Sequence, residues 1–426
     1  QERKIIINDN FMTMGIKNAR TFTAYADPDR LEAHMKTLSP ADADLIEGFC
    51  EGVRQFKQFD MALMQKKPRQ LMNPADWLEF NRKIVPYAVP LAKWGMTSAQ
   101  EFAAKFQDPL LRRAFPLMFG WADIPVMVGM SVLAYMATGN AGFPAGGSLA
   151  FAQAIERRYL DLGGEIQYKA QVEKILVENG RAVGVRLYND EVHHADYVIS
   201  AADGRGTLFD MLGEDYVSSK IRKLYDGHLR IHSQILVALG VNRDLSDQPH
   251  WLTYLLDEPL LIAGEERTAV AVKHFCFDPS LAPQGSSAVV VMLTLESNHG
   301  YWQRIYGRRL YDTEQLQVAD ILIDFLETKY PGIRADIEVK DVATPLSYER
   351  YTGNWLGSTC GWLLTDKTMM MMVKGMSKTL PDLENFYMAG QWVEPGGSVP
   401  IVAMSGRNVI QLICDQDEKE FVTAVA

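Results

Sequence analysis

Between Ile124 and Ile155 the chain carries no charged residue, and no other stretch restricts its fold as strongly. An apolar run of this length has to leave water, either inside a protein core or in a bilayer, whose hydrocarbon about 20 residues at roughly 1.5 Å each would span. The helix breakers decide between the two. Pro116, Gly120 and Asp123 lie just ahead of the run, and Pro125, Gly129 and Gly139 interrupt it. A lipid interior offers no partner to the backbone groups that such breaks release. The run therefore reads as short helices that fill a core, line an apolar cavity or dip into one leaflet, and not as one membrane-crossing helix.

The rest of the chain must supply the partners for that core. At about 150 residues per domain, 426 residues suggest two or three domains. Asp plus Glu number 53 against 43 Lys plus Arg, a net charge of −10, and such a surface repels phosphate backbones. Nucleic acid is excluded as an expected partner. Cys50, Cys276, Cys360 and Cys414 are far apart and form no C-x-x-C pair, so neither a zinc site nor a disulfide framework is expected. That usage, with no N-x-S/T sequon and no signal-peptide layout at the start, points to the cytoplasm. The first residue is Gln, from which residues upstream of it are expected in the native protein.

Local signals place the elements. Residues 4–7 and 21–25 read as strands. Asp27-Pro28 and Ser39-Pro40 each open a helix, the first carrying Leu31, Met35 and Leu38, the second Leu45, Ile46, Phe49, Val53 and Phe56 at helical spacing. Gly146-Gly147-Ser148 opens another, with Leu149, Ala152, Ile155 and Tyr159 on one side and Gly163-Gly164 as its stop. Asn179-Gly180 between residues 172–177 and 182–187 is a hairpin signal. Tyr197-Val198-Ile199 reads as a strand that runs into the small-residue loop Ser200-Ala201-Ala202-Asp203-Gly204. Strands are also expected at 235–239, 269–272 and 289–293, and a helix capped by Asp312 with Gln315 that stops at Tyr330-Pro331-Gly332.

Chemistry concentrates near the C-terminus. A strand, Phe386-Tyr387-Met388-Ala389-Gly390, is followed by the turn Glu394-Pro395-Gly396-Gly397-Ser398-Val399-Pro400 and by a helix from Ile401 towards Cys414. Free N–H groups and the positive end of the helix dipole meet at such a helix start, where an anion or an electron-rich carbonyl is stabilised. No G-x-S-x-G, H-E-x-x-H or Walker loop occurs. No catalytic triad and no metal site are expected, and His193-His194 reads as exposed rather than ligating.

These stretches, together with Gln391-Trp392-Val393 and Ser405-Gly406-Arg407, resemble the flavin-binding C-terminus of the phytoene desaturase family, which also holds carotenoid isomerases and retinol saturases. Gly146 to Ser148, Gly163 to Ile166, Val172 to Ile175, Gly184-Val185 and Ala195 to Asp203 fit the middle of that family's FAD domain in order. Tyr330-Pro331-Gly332, Ala343-Thr344-Pro345 and Tyr351-Thr352-Gly353 fit its substrate domain. The resemblance implies an α/β, Rossmann-like FAD-binding domain of the glutathione-reductase type, incomplete at its N-terminus, with an inserted α+β substrate domain. It assigns 146–215 and 375–426 to the first, and 1–145 and 216–374, including a helical lid region, to the second.

The resemblance further implies cofactor roles. Val172 would meet the adenine side, Ala201, Ala202 and Asp203 the adenosine or pyrophosphate, Gly390 and Gln391 the ribityl chain. Gly397, Ser398, Val399 and Pro400 would lie under the ring. By their own chemistry Tyr348, Tyr351, Trp355, Trp362 and Trp392 are candidates either to line an apolar tunnel or to fill an aromatic core, and Met369 to Met372 either to adapt to an irregular ligand or to fill space. Glu394, next to the turn, is the one carboxylate that is a candidate proton acceptor, with solvation of the turn as its expected role. The implied activity is an FAD-dependent desaturation, saturation or isomerisation of a carotenoid, retinoid or other long apolar isoprenoid. Tyr301 to Arg304 with Arg308-Arg309 is a candidate contact with a membrane surface.

One departure stands out. The family's G-x-G-x-x-G turn, which holds the FAD pyrophosphate, occurs nowhere in this sequence. The expectation is an upstream segment that carries it, and a FAD site that these residues supply only in part. The alternatives are an amine oxidase-like flavoenzyme acting on a soluble amine, for which carboxylates should line the pocket, and a flavin-free, inactive chain.

Overall fold

The computed structural model describes residues 4–16, 20–59, 66–295, 298–365, 367–369, 371 and 376–423. They divide into two compact units, one made of Gln1–Gln58, Thr97–Ile166 and Ser233–Ser347, the other of Phe59–Met96, Gln167–His232 and Tyr348–Ala426. In chain order the strands are β1 (Ile5–Ile6), β2 (Asn10–Ile16), β3 (Thr21–Tyr25), β4 (Phe143–Pro144), β5 (Val172–Glu178), β6 (Arg181–Leu187), β7 (Val192–His194), β8 (Val198–Ser200), β9 (Ser233–Val241), β10 (Trp251–Ile262), β11 (Glu265–His274), β12 (Ser287–Leu295), β13 (Ile337–Ala343) and β14 (Phe386–Met388).

The first unit is organised by a seven-stranded sheet in the order β13-β9-β12-β11-β10-β2-β3, antiparallel throughout except where β10 meets β2. Strict alternation decides which face is covered. On β9, Ile235, Val237, Leu239 and Val241 are buried while Gln234, Leu236, Ala238 and Gly240 are only half-buried. The buried face packs with Val270, Val272, Val289 and Val291 against Trp302, Val318, Leu322, Ile323 and Leu326, carried by the helices His299–Gly307 and Tyr311–Glu327. Trp302 is therefore core, and the stretch Tyr301 to Arg304 does not offer its indole to a membrane. The second of these helices starts at Tyr311 with no side-chain cap. Asp312 lies inside it, and Gln315 donates instead to the carbonyl of Val342 at 2.8 Å, so the expected cap is replaced by a tie to β13.

The other helices of this unit follow from local chemistry. Asp27 accepts from the N–H groups of Asp29 and Arg30, with Pro28 in the first turn of Pro28–Leu38. The helix Ala43–Phe56 buries Ile46, Phe49, Val53 and Phe56. The uncharged run becomes the helix Val126–Ala137, whose Val126, Met130, Leu133 and Ala134 are buried, so it is core. Among the described residues no helix is long and apolar enough to cross a membrane. The helix Gly147–Asp161 forms where the glycine signals place it, but its apolar side is not covered, and Leu149 is 70% exposed.

The second unit contains a three-stranded antiparallel sheet, β5-β6-β7, and a separate two-stranded parallel ladder, β8 with β14. The β5/β6 hairpin turns through Asn179 at φ 51° and Gly180 at φ 77°, the left-handed pair that a two-residue turn of this kind requires. In the ladder Phe386 pairs with Val198, Tyr387 with Ile199 and Met388 with Ser200. Trp362, Trp392, Tyr225, Leu208, Phe386 and Met388 form the main core of this unit. The C-terminal helix, Val399–Gln416, lies beside the ladder with Val409 packed on Tyr387 and Ala389.

Candidate functional site

Two parallel strands that end side by side present their small-residue loops together. The N–H of Ala389 donates to the carbonyl of Ser200 at 2.9 Å, so β8 and β14 run out at the same level, into Ala201-Ala202-Asp203 and Gly390-Gln391. Ala201 and Ala202 are exposed there, and the mouth of parallel strands is where open α/β folds take ligands. Ser405 joins the C-terminal helix to this edge. Its hydroxyl accepts from the N–H of Gly390 at 2.7 Å and donates to the carbonyl of Val402 at 2.8 Å.

The turn between strand and helix is held tightly. Gly397 sits at φ 53°, and a Cβ on it would come 3.1 Å from the carbonyl oxygen of Cys360. Gly361 sits at φ 52°, and its Cβ would come 2.5 Å from the carbonyl oxygen of Gln391. Thus the loop around Cys360 packs against both the strand end and the turn, and only glycines allow it. Ser398, Val399 and Pro400 are exposed, and Ser398 makes no side-chain cap at the helix start. The first N–H groups of that helix consequently point to the surface uncapped, which suits an electron-rich ligand edge.

Buried charge stands behind the turn. Lys378 donates to Glu394 at 2.6 Å, with side-chain exposures of 8% and 7%. Glu394 is thus not a solvated residue of the turn but half of a buried ion pair. Asp203 is also turned inward. Its carboxylate accepts from the N–H groups of Gly206 at 2.7 Å and Trp355 at 2.8 Å, and burial still pushes its pKa up. Next to the turn, the Thr359 hydroxyl lies 2.7 Å from Nδ1 of His232, and Sγ of Cys360 lies 3.8 Å from Nε2. Burial pushes the His232 pKa down and the Cys360 thiol up, so both are neutral near pH 7.

The structure thus brings Ala201, Ala202, Asp203, Gly390, Gln391, Gly397, Ser398, Val399 and Pro400 to one edge of the second unit. Val172 opens β5 on the separate three-stranded sheet. The side chain of Gln391 is engaged with Asn354, to whose Oδ1 it donates at 3.1 Å. Of the expected tunnel residues, Trp355, Trp362 and Trp392 do meet, around Tyr225, with Trp362 and Trp392 edge to face at 4.9 Å. Exposures of 0% and 2% make Trp362 and Trp392 core residues, with no surface turned to a ligand. Tyr348 is half-buried, and Tyr351 stands 81% exposed. Met369 is buried and Met371 packs on the same core, while Met370 and Met372 lie outside the described residues. Among the described residues no group of acids, histidines or cysteines could hold a metal.

Sequence reasoning missed His232, Thr359, Cys360 and Lys378. The cluster of Gly357 and Gly361 around Cys360 was the one local signal of a close approach there.

Known proteins share this plan. The family described as flavin containing amine oxidoreductase matches residues 130–414. The chain is 30% identical over 287 residues to a chloroplastic prolycopene isomerase from Daucus carota, a match covering 66% of this chain and 45% of that protein. The chain thus spans less than half the length of that relative. It is 25% identical over 422 residues to a lycopene-forming phytoene desaturase from Pseudescherichia vulneris, covering 94% of this chain and 81% of the relative. The crystal structure of an oxidoreductase from Methanosarcina mazei has the same fold, with a TM-score of 0.52 at 18% identity over 83% of this chain and 75% of that one. The expected α/β flavin-binding fold is borne out.

Proposed function

Because the chain belongs to the flavin containing amine oxidoreductase family, and so to proteins with a flavin cofactor, we propose that it is an FAD-dependent oxidoreductase acting on a carotenoid, retinoid or other long apolar isoprenoid. The observation that carries this reading is the shared edge at which β8, β14, the Gly396-Gly397 turn and the uncapped start of Val399–Gln416 come together. The names of the relatives support the substrate class, since those proteins act on carotenes.

The residues present fit a flavin. Exposed Ala201 and Ala202 leave the strand mouth open to close approach, Gly397 lets the turn close on the Cys360 carbonyl, and the helix start offers free N–H donors. When bound, the flavin supplies a hydride acceptor. The chain's own part is to hold it and to stabilise negative charge with backbone dipoles that are already aligned. Lys378 and Glu394 brace the turn from behind, and neutral His232 with Thr359 fixes the Cys360 loop against Gly397. Both carboxylates near the turn, Asp203 and Glu394, are engaged with partners of their own, which favours an apolar substrate over a soluble amine. The phosphate-holding turn is not part of this sequence, so the FAD site formed by these residues is a partial one in our reading.

Substrates of this class reside in membranes, and the second unit has a surface suited to reaching them. On the helices Pro74–Ile84 and Ala88–Gly95, Leu78 is 72% and Val89 76% exposed, and Val85 is exposed between them. Arg82, Lys83 and Lys93 accompany them, Lys83 in an ion pair with Glu79 at 2.9 Å. Apolar side chains flanked by cations fit an anionic membrane surface. The test of the proposal adds FAD to the purified chain, measures the visible flavin absorption retained after gel filtration, and then assays phytoene and prolycopene by chromatography. Retained flavin with conversion of either polyene supports it. Flavin without conversion of any apolar substrate, or conversion of an amine instead, overturns the substrate class.

A further inference from the structure

The connector that leads into the helix Pro74–Ile84 gathers cations in a chain that is acidic overall: Lys66, Lys67 and Arg69 stand close together, while the whole sequence carries a net charge of −10. The fold adds a fourth. Gln411 of the C-terminal helix donates to the carbonyl of Lys66 at 3.4 Å, and Arg407, a turn earlier on that helix, joins the other three in the walls of a cavity of about 120 Å³. All of these residues belong to the second unit.

Two carboxylates in the same walls answer the four charges. Asp76 pairs with Lys67 at 2.6 Å, and Glu79 with Lys66 at 3.6 Å and with Lys83 at 2.9 Å. The guanidiniums rest on rings: Arg69 lies 4.3 Å from the Phe80 centroid and Arg407 4.9 Å from that of Phe421. Among the described residues Arg407 meets no carboxylate, and its Nε is buried without an acceptor. Stacking fixes the plane of a guanidinium and leaves its edge to grip a phosphate through two parallel hydrogen bonds. Cations therefore outnumber carboxylates around one enclosed space.

Size and position restrict the guest. Sites for whole small molecules begin at roughly 300 Å³, so this cavity takes one compact anionic group and neither a nucleotide nor a polyene. The helix that lends it Asp76, Glu79 and Phe80 also carries Leu78 of the exposed apolar surface described above, with Val85 just beyond its end. An anionic group next to apolar side chains is the chemistry of a lipid.

We propose that the cavity between the connector and the C-terminal helix is a head-group subsite, in which Arg69 and Arg407 grip the phosphate of an anionic phospholipid and so seat the second unit on a membrane. This rests on the membrane-surface reading above and gives it a defined site.

The experiment is flotation of the purified chain with vesicles of phosphatidylcholine alone, or of phosphatidylcholine and phosphatidylglycerol in equal parts, beside isothermal titration with inorganic phosphate. The wild type is expected to bind the anionic vesicles about tenfold or more tightly, and Arg407→Gln to lose about tenfold of that, the range of a charge-assisted hydrogen bond. Two changes that conserve charge separate a site from diffuse attraction. Arg407→Lys keeps the cation without the fork and should recover only part of the loss, and Gln411→Trp fills the cavity and should weaken binding about tenfold. Circular dichroism checks that each variant is folded. Wild-type affinity in both charge-conserving variants, or equal wild-type binding to the two kinds of vesicle, overturns the site alone. Arg407-dependent binding of inorganic phosphate with no preference between vesicles assigns the cavity to free phosphate and overturns the lipid source. Binding to no vesicle overturns the membrane-surface reading together with the site, while the flavin and polyene assays judge the chemistry independently.

Discussion

The helix-backed face of the seven-stranded sheet and the β8/β14 ladder solve opposite problems. On the sheet, alternate residues of β9, β11 and β12 disappear beneath Trp302, Leu322 and Leu326, and no glycine of these three strands is among them. The ladder has strands of only three residues, leaves Ile199 exposed, and is flanked by a C-terminal helix whose buried residues are Ser405, Asn408 and Val409. Burial stabilises at about 25 cal/mol per Å² of apolar surface, so the fold's stability sits in the first region. The ladder is instead shaped by positive-φ glycines, uncapped N–H groups and buried charge. Such a region is one that a bound cofactor can complete, and its stability should depend on that cofactor.

The largest effects should come from breaking each region at its centre. Trp302→Ala removes a side chain with no exposed surface and should cost about 3–5 kcal/mol, read as a lower urea midpoint that added FAD does not restore. Lys378→Met takes its ion-pair partner from the buried Glu394 carboxylate and should cost a similar amount, about 3–5 kcal/mol. Here the double variant Lys378→Met with Glu394→Leu should recover most of the loss. If the double variant is no better than the single one, the two side chains are not coupled and the ladder does not depend on this pair.

Gly397→Val sharpens the comparison at the turn. A β-branched residue at φ 53° is strained by about 1–3 kcal/mol, and its Cβ would press on the Cys360 carbonyl. The expected outcome is a sharp fall in retained flavin, with an unfolding midpoint that moves much less than in Trp302→Ala. A variant that keeps its flavin would separate this turn from the cofactor.

How far these two regions can be read from the sequence differs for the same physical reason. Capped helices and the Asn179-Gly180 hairpin depend on neighbours in the chain, and the helix at Asp27-Pro28 and the hairpin lie where those residues place them. The strand at Phe386 and the helix after Pro400 were legible in the same way, because glycine and proline punctuate them. Burial was not, since it depends on what arrives from elsewhere. Leu149, Ile155 and Tyr159 have the spacing of a buried stripe yet stay exposed, while Trp362 and Trp392, whose residue type suits a tunnel wall and a core equally, close a core around Tyr225. Pairings over long separations, such as His232 with Thr359 and Lys273 with Trp251, leave no local pattern at all.

The two faces of the sheet should also separate by pH. Lys273 has a folded-state pKa of about 8, against roughly 10.4 in an unfolded chain. Between those values the unfolded state holds more protons, so this residue makes the fold more stable as the pH rises from about 8 to about 10, and its destabilising effect is full below 8. After solvent screening the change should be about 1 kcal/mol. Asp9, His250 and His274 also titrate around this end of the sheet, and all three have finished titrating by pH 8, so the difference between wild type and Lys273→Met isolates the lysine. A parallel pair of stability curves would mean that its ammonium is solvated.

The smallest expected effect tests the ladder's thin cover most directly, because it compares neighbours on one helix. Val409 has no exposed surface and packs on Tyr387 and Ala389, whereas Ile410 is 43% exposed. Val409→Ser should lower stability by about 2 kcal/mol, the cost of a lost apolar side chain and a buried hydroxyl. Ile410→Ser should stay within about 0.5 kcal/mol, as surface changes do. Equal losses at the two positions would mean that the outer face of Val399–Gln416 is covered in the folded protein. The ladder would then be as fully backed as the sheet, and the contrast drawn between the two regions would fail.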